Sequence, residues 1–321
     1  MIERFVSVSG GKDSGAVYLL MVKRGKPFRA VFADTDNEHA VTIEFVRNLH
    51  KKTGGPEVEF CKADFTSKFA GRRQRLPALW SKAGVSDKHI TRAMELMHPT
   101  GNAFLDLCLL RGGFPGVKAR YCTQELKLKP LADTFYNPAI KRGGFVISFT
   151  GVRSEESFAR SLQPRRVRAG KPRSGRGVYM PASYKPIFDW TLADVMKIHA
   201  EFGMDINPLY HRGVERVGCW PCIFARKAEI RAVSETSPEH IERLEEWEAL
   251  VTECSRSGFA TWFPAKNLSK DRANWNLPEH GIRGQEKWAS GGRYLPGFEP
   301  ENTSAVAEEY ETACALFGAC E

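Results

Sequence analysis

Apolar positions in the first part of the chain fall in short runs separated by amphipathic stretches. Phe5-Val6-Ser7-Val8, Arg29–Ala33 and Glu57–Phe60 read as strands, and Phe145–Thr150 reads as a fourth. A helical pattern over Ser14–Arg24 separates the first pair. Val41, Phe45 and Leu49 stand at helical spacing within Ala40–Lys52, between the second pair. Strands that alternate with helices predict an α/β fold: a twisted parallel sheet with helices on both faces and right-handed crossovers. In such sheets ligands bind beyond the carboxyl ends of the strands. That rule places Ser9–Ser14, Asp34–Asn37 and Gly151–Arg153 on one rim.

Residues 64–143 read as a mainly helical insertion between the third and fourth strands. A further helix is expected over 190–203, with Thr191 or Asp194 near its start and Gly203 closing it. Another runs over Pro238–Cys254, carrying Ile241, Leu244, Trp247 and Val251 on one side. Beyond residue 258 the chain is aromatic, glycine-rich and irregular. The expected organisation is a nucleotide-binding domain over 1–225, including the insertion at about 64–143, and an extension over 226–321 packed on it. No internal repeat, low-complexity tract or coiled-coil pattern interrupts this plan.

With 321 residues, 42% of them hydrophobic, the chain has ample sequence for a buried core. No run approaches the roughly 18 apolar residues of a membrane span, and the glycine loop begins by residue 10, so a cytoplasmic location is expected. The eight cysteines are then thiols or metal ligands rather than a disulfide framework. A formal charge of +9 points to anionic partners. It concentrates between Arg160 and Arg176, where seven bases (Arg160, Arg165, Arg166, Arg168, Lys171, Arg173, Arg176) meet no acid. Pro164, Gly170, Pro172, Gly175 and Gly177 mark that stretch as an open loop, either a solvated excursion or a contact for nucleic acid or polyphosphate.

The densest chemistry lies in Ser9-Gly10-Gly11-Lys12-Asp13-Ser14, directly after the first strand. Two residues without Cβ let the chain turn sharply and let a phosphate approach the backbone. Asp13 or Ser14 is expected to cap the helix that follows, whose N-terminus favours negative charge. The spacing is not that of the usual P-loop, which places four residues between its glycines. It resembles the PP-loop of the ATP pyrophosphatase superfamily, whose members cleave ATP between the α- and β-phosphates.

Four segments together resemble the phosphoadenosine-phosphosulfate reductase family, a branch of that superfamily, over about residues 3–225. Besides the loop they are Arg120-Tyr121-Cys122-Thr123 with Lys127, and Gly151-Val152-Arg153 with Glu156-Ser157. The fourth is Asp189-Trp190-Thr191 leading to Asn207-Pro208-Leu209-Tyr210, Arg216 and Gly218-Cys219-Trp220-Pro221-Cys222. The resemblance implies that Ser9, Gly10, Gly11, Lys12, Asp13 and Ser14 hold nucleotide phosphates, with Asp34, Asp36, Gly151 and Arg153 nearby. Asp36 would aid Mg²⁺, and Arg153 would grip phosphate or sulfonate oxygens in bidentate fashion. Lys12, Asp13 and Arg153 are the candidate catalytic residues.

Cys219 and Cys222 form a C-x-x-C pair, and Cys122 stands where the family places a cluster ligand. Cys108 would complete four thiolates for a [4Fe–4S] cluster; a Zn²⁺ site, a buried core role for Cys108, and no metal at all remain alternatives. Sulfonucleotide reductases carry a nucleophilic cysteine in a C-terminal Glu-Cys-Gly motif, which this chain, ending Cys314-Ala-Leu-Phe-Gly-Ala-Cys320-Glu321, does not match. The complete loop favours ATP. The leading expectation is therefore an enzyme that cleaves ATP to AMP and pyrophosphate to activate a substrate for sulfur transfer. Its sulfur donor is unspecified, and a nucleic acid suits the basic segment as its substrate. A thiol-dependent sulfonucleotide reductase and an inactive nucleotide- or nucleic-acid-binding regulator are the alternatives.

Overall fold

The computed structural model describes residues 1–116, 119–170, 180–265, 269 and 271–291. In chain order, β1 (Ile2–Ser7), α1 (Lys12–Lys23), β2 (Arg29–Asp34), α2 (Ala40–Thr53) and β3 (Val58–Lys62) come first. Three helices follow: α3 (Thr66–Lys82), α4 (Asp87–Leu96) and α5 (Ala103–Arg111). A helical run over 123–141 then mixes π turns (Thr123–Leu128, Ala132–Tyr136) with the short α6 (Lys129–Leu131) and α7 (Asn137–Lys141). Pro130 and Pro138 bring no N–H to this run, and wide turns adjoin both. After it come β4 (Phe145–Phe149), α8 (Phe158–Ser161), β5 (Arg166–Val167), β6 (Ala182–Tyr184) and α9 (Leu192–Glu201). The last helices are α10 (Lys227–Thr236), α11 (Pro238–Glu253), α12 (Leu277–His280) and α13 (Ile282–Ala289).

The six strands lie in the order β3-β2-β1-β4-β6-β5. All neighbours run parallel except β5, which pairs antiparallel with β6 at the edge. This is the expected α/β sheet, with β1 at its centre. Alternation along each strand sends neighbours to opposite faces. Val6, Phe32 and Phe149 pack with Val17 and Leu19 of α1, Val46 and Leu49 of α2, and Val195 and Ile198 of α9. Phe5, Val31, Cys61 and Val146 pack on the other face with Leu128, Leu131, Phe135, Tyr136 and Ala139.

Two stretches differ from the sequence reading. The basic segment expected as an open loop contributes β5 at Arg166–Val167, paired with β6; its residues 171–179 lie outside the described residues. The chain also divides differently. Met1–Ala63 and Thr123–Trp220 form one compact unit, and Asp64–Cys122 forms a second with the described part of 221–291. The second unit is held by an aromatic core in which Trp262 lies 5.0 Å from Phe104 and 6.3 Å from Trp247. Buried Glu248 accepts hydrogen bonds from the N–H groups of Trp262 (2.6 Å) and Ile282 (2.7 Å). The extension thus shares a core with the first part of the insertion, while residues 123–141 belong to the sheet. Among the described residues no helix is long and apolar enough to cross a membrane.

Candidate functional site

The glycine loop leaves β1 at the carboxyl edge of the sheet. Gly10 takes φ +86°, and a Cβ there would come within 2.5 Å of the Thr42 Cγ2. The expectation that Asp13 or Ser14 caps α1 is corrected: Gly11 is the N-cap and no side chain caps it. Ser14 instead closes the loop on itself. Its hydroxyl donates to the Gly11 carbonyl (3.1 Å), accepts from the Ser9 N–H (3.1 Å) and meets the Ser9 hydroxyl at 2.9 Å.

Asp13 is released from capping for another role. Its carboxylate is 1% exposed, accepts from the Arg153 Nε and lies 3.3 Å from the Lys12 Nζ. Arg153 also donates from Nη1 to Glu155 (2.7 Å), and its N–H donates to Glu156 (2.9 Å). Burial works against the guanidinium charge, but Asp13, Glu156 and Glu155 outweigh it and raise the Arg153 pKa. Lys12, Asp13 and Arg153 are therefore brought together, with Asp13 bridging the two cations. Gly151 lies against the same loop, where a Cβ would meet the Ser14 N at 2.5 Å.

Three supports come from the chain beyond residue 198. The Tyr210 hydroxyl accepts from the Lys12 N–H (3.2 Å), and the Lys12 Nζ stands 5.0 Å above the Tyr210 ring. Asn207 donates from Nδ2 to the Gly10 carbonyl (3.2 Å) and to the Thr42 hydroxyl (3.1 Å). His199 reaches the first turn of α1 from α9. The motif Asn207–Tyr210 drew attention in the sequence without revealing these roles, and nothing in the sequence singled out His199.

The β2 exit forms the other wall. Asp36 is the one described non-glycine residue at positive φ (61°), an uncommon conformation that occurs at functional loops. Its N–H donates to Asp34 (2.9 Å) and its carboxylate pairs with Lys62 at 2.5 Å, so the residue expected to aid Mg²⁺ already has a cation. Glu38 accepts from the Thr35 N–H (3.0 Å) and hydroxyl (2.7 Å). Burial pushes the Glu38 pKa up, while Lys127 and the Thr35 hydrogen bonds pull it down. Cys219 joins this wall: its thiol donates to Glu38 at 3.9 Å, and an antiparallel bridge links the two backbones. The Trp220 N–H donates to the Asn37 carbonyl at 2.6 Å.

The other candidate ligands, Cys108, Cys122 and Cys222, lie in the second unit. Cys108 is fully buried in α5, where desolvation pushes its thiol pKa well up despite a hydrogen bond with Tyr121. Cys61 and Cys254 are core thiols, each pushed up to about 12 by burial. Cys314 and Cys320 lie outside the described residues.

This arrangement defines an α/β protein whose charged groups converge at the carboxyl ends of a parallel sheet. The chain belongs to the phosphoadenosine phosphosulfate reductase domain family, which it matches over residues 3–225. It is 38% identical to an uncharacterized 37.8 kDa protein in the gpa 5′ region of Escherichia phage 186, over 98% of this chain and 96% of that protein. It is 32% identical to the adenosine 5′-phosphosulfate reductase of Burkholderia cepacia over 38% of this chain and 40% of that enzyme, so it spans less than half of this relative. Phosphoadenylyl-sulfate reductase from Candida auris, a phosphate complex, superposes with a TM-score of 0.41 and 17% identity, covering 69% of this chain and 83% of that one.

Proposed function

We propose that this protein binds ATP at Ser9–Ser14 and cleaves it between the α- and β-phosphates. An acceptor oxygen attacks the α-phosphorus, and pyrophosphate departs with the electron pair of the broken P–O bond. A sulfur nucleophile then displaces AMP from the adenylylated acceptor, forming a C–S bond as the C–O bond breaks. The observation that carries this reading is the buried Asp13 carboxylate, which holds Lys12 and Arg153 together beside an intact Ser-Gly-Gly-Lys-Asp-Ser loop. Pre-positioned cations stabilise charge that develops on phosphoryl oxygens without reorganising during the reaction. Tyr210 and Asn207 fix the loop backbone, which keeps that geometry. Mg²⁺, when bound, would add charge neutralisation, and Asp34, whose carboxylate accepts from the Asp36 N–H, is a nearby carboxylate that would hold it.

A second reading, reduction of a sulfonucleotide to sulfite and AMP or its 3′-phosphate, is favoured by the identity with the Burkholderia enzyme. It calls for a thiolate nucleophile, for which Cys314 and Cys320 are the candidates. A third reading, a regulator that binds nucleotide without turning it over, differs from both in needing no catalytic Lys12. The test uses anaerobically purified protein with Mg²⁺ and α-labelled ATP, with and without RNA or DNA. AMP and pyrophosphate that vanish in Lys12→Ala support the proposal. Sulfite from adenylyl sulfate or its 3′-phosphate with a thiol donor, and no AMP from ATP, replaces it with the reductase. Binding without turnover of any of these nucleotides leaves the regulator.

A further inference from the structure

The chain leaving Arg153 carries a face that nucleotide binding does not use. The turn at Ser154–Glu156 leads into α8, where Phe158 is 71% exposed and Leu162, four residues on, is 69% exposed. That spacing puts both side chains on one side of the segment. Arg160, between them in sequence, turns inward and pairs with Glu156. Arg165, Arg166 and Arg168 follow, all exposed, and no acid interrupts the sequence from Arg160 to Arg176. β5, which bears Arg166, is the outermost strand of the sheet. Arg165 is braced by Asp189 at 2.6 Å, and the Arg166 guanidinium lies 5.4 Å from the Tyr184 ring centre. Glu155 ties the segment to α9 by accepting from the Leu192 N–H at 3.0 Å, and Leu192 is itself 46% exposed.

Solvent-facing aromatic and aliphatic groups lie beside Arg165, Arg166 and Arg168, which come from a stretch of sequence without acids, and together they match one kind of partner. Of these three arginines, Arg165 alone is seen paired with a carboxylate among the described residues. The arginines attract a polyanion. The exposed ring offers a stacking surface, which every nucleobase can use when its face is free. A duplex hides those faces in its own stack, whereas a single strand presents them. We propose that the face formed by Phe158, Leu162 and Arg165–Arg168 binds single-stranded nucleic acid, with phosphates along the arginines and a base on Phe158. The segment begins at Glu155, which holds Arg153 through its side chain, so a bound strand lies next to the loop that carries Lys12 and Asp13. The proposal rests on the ATP-activation reading only for its consequence: the activated acceptor would be part of the nucleic acid.

The test is fluorescence anisotropy on the full chain without nucleotide, using labelled oligo-dT, oligo-rU and a blunt duplex across a salt series. Single strands should bind more tightly than duplex. Phe158→Ala should weaken single-strand binding about fivefold or more with the salt slope unchanged. Arg166→Gln and Arg168→Gln should each lower the slope by about 0.7 for every phosphate no longer neutralised. Thermal melts matched to wild type ensure that the variants are folded. Equal or tighter binding of duplex, or full affinity in folded Phe158→Ala, overturns the proposal. So does a wild-type dimer in light scattering that Phe158→Ala converts to monomer. AMP formation from ATP is measured on the same samples. Strand binding without ATP cleavage removes the proposed activity and keeps this inference; cleavage without strand binding does the reverse.

Discussion

His199 donates from Nε2 to the Lys12 carbonyl across 2.8 Å, and Gly15 gives the ring its room: a Cβ there would stand 2.9 Å from the His199 Cε1. The peptide plane is rigid and trans, so holding the Lys12 carbonyl also fixes the direction of the Asp13 N–H on its opposite side. The acceptor dictates the neutral tautomer with its proton on Nε2, leaving Nδ1 buried without a hydrogen-bond partner. His199→Leu should weaken nucleotide binding and speed amide exchange in the loop peptide, while His199→Gln, which retains a donor, should restore much of both. Hydrogen-exchange mass spectrometry of the nucleotide-free protein reads the loop directly.

The same histidine predicts a pH response. Burial depresses its pKa, although the Lys12 carbonyl, Asp13 and Asp205 oppose that fall. Between the depressed value and the ordinary 6.5, the unfolded chain binds a proton that the folded one refuses, so stability declines as pH drops below about 6.5. Urea melts of wild type and His199→Gln at pH 7.5 and 5.5 should diverge, with the variant losing less on acidification.

Asp13 joins two cations in a nearly dry setting. Removing one member of a buried pair leaves the other uncompensated and costs about 3–5 kcal/mol. Asp13→Ala and Arg153→Ala should each destabilise the fold by less than that, because Lys12 still faces Asp13 and Glu155 still pairs with Arg153. The double variant should fall well short of their sum, because the stranded charge is gone. Chemical denaturation of the three variants measures the coupling. Lys12→Ala, whose ammonium is partly exposed, should melt near wild type while losing turnover.

Glu248 responds to pH in the opposite sense. Burial raises its pKa to about 7 against the N–H groups of Ile282 and Trp262, which pull it down. Between the ordinary value near 4.5 and about 7 the folded state holds a proton that the unfolded chain has lost, so this contribution weakens as pH rises through that window. It amounts to roughly 3 kcal/mol across the full window. Glu248→Gln should flatten the dependence, and proteolysis within 221–291 at pH 5.5 and 8 should report it locally.

Cys108 is packed in α5 with its thiol disfavoured as a thiolate. Cys108→Ala should leave the iron and zinc content of anaerobically purified protein unchanged and cost about 1–2 kcal/mol of stability, because the sulfur's packing against its neighbours is removed. Metal analysis beside a thermal melt checks both outcomes. A fall in bound metal would restore Cys108 to the ligand set.

The elements that sequence revealed are those whose signals are local. β1–β4, α1, α2, α9 and α11 announce themselves by periodicity, and the Thr191–Asp194 box that opens α9 is written in four residues. β5 and β6 escaped because strands of two and three residues are too short to show alternation. The loop Ser9–Ser14 stood out in the sequence as a candidate anion site, but the reassignment of Asp13 from cap to cation bridge depends on Arg153, 140 positions away. His199 and the pairing of Cys219 with Glu38 are likewise products of long-range packing, which no spacing encodes. The division into units was hidden because Trp262 has no periodic context and finds its partners Phe104 and Trp247 only in three dimensions.

The central place of β1 also sets an order of assembly. β1 pairs with β2 at Phe5↔Arg29, but its other edge waits for Phe145, the partner of Ile2. Closing that longer loop costs roughly 1.5 kcal/mol more in chain entropy than closing the shorter one, by logarithmic scaling. During synthesis, this interior strand of the sheet emerges before its second partner and must keep a bare edge until the ribosome has passed residue 149. Many intervening residues are committed to a different core. The tempo of translation across 64–145 therefore decides how long that edge is open to other chains.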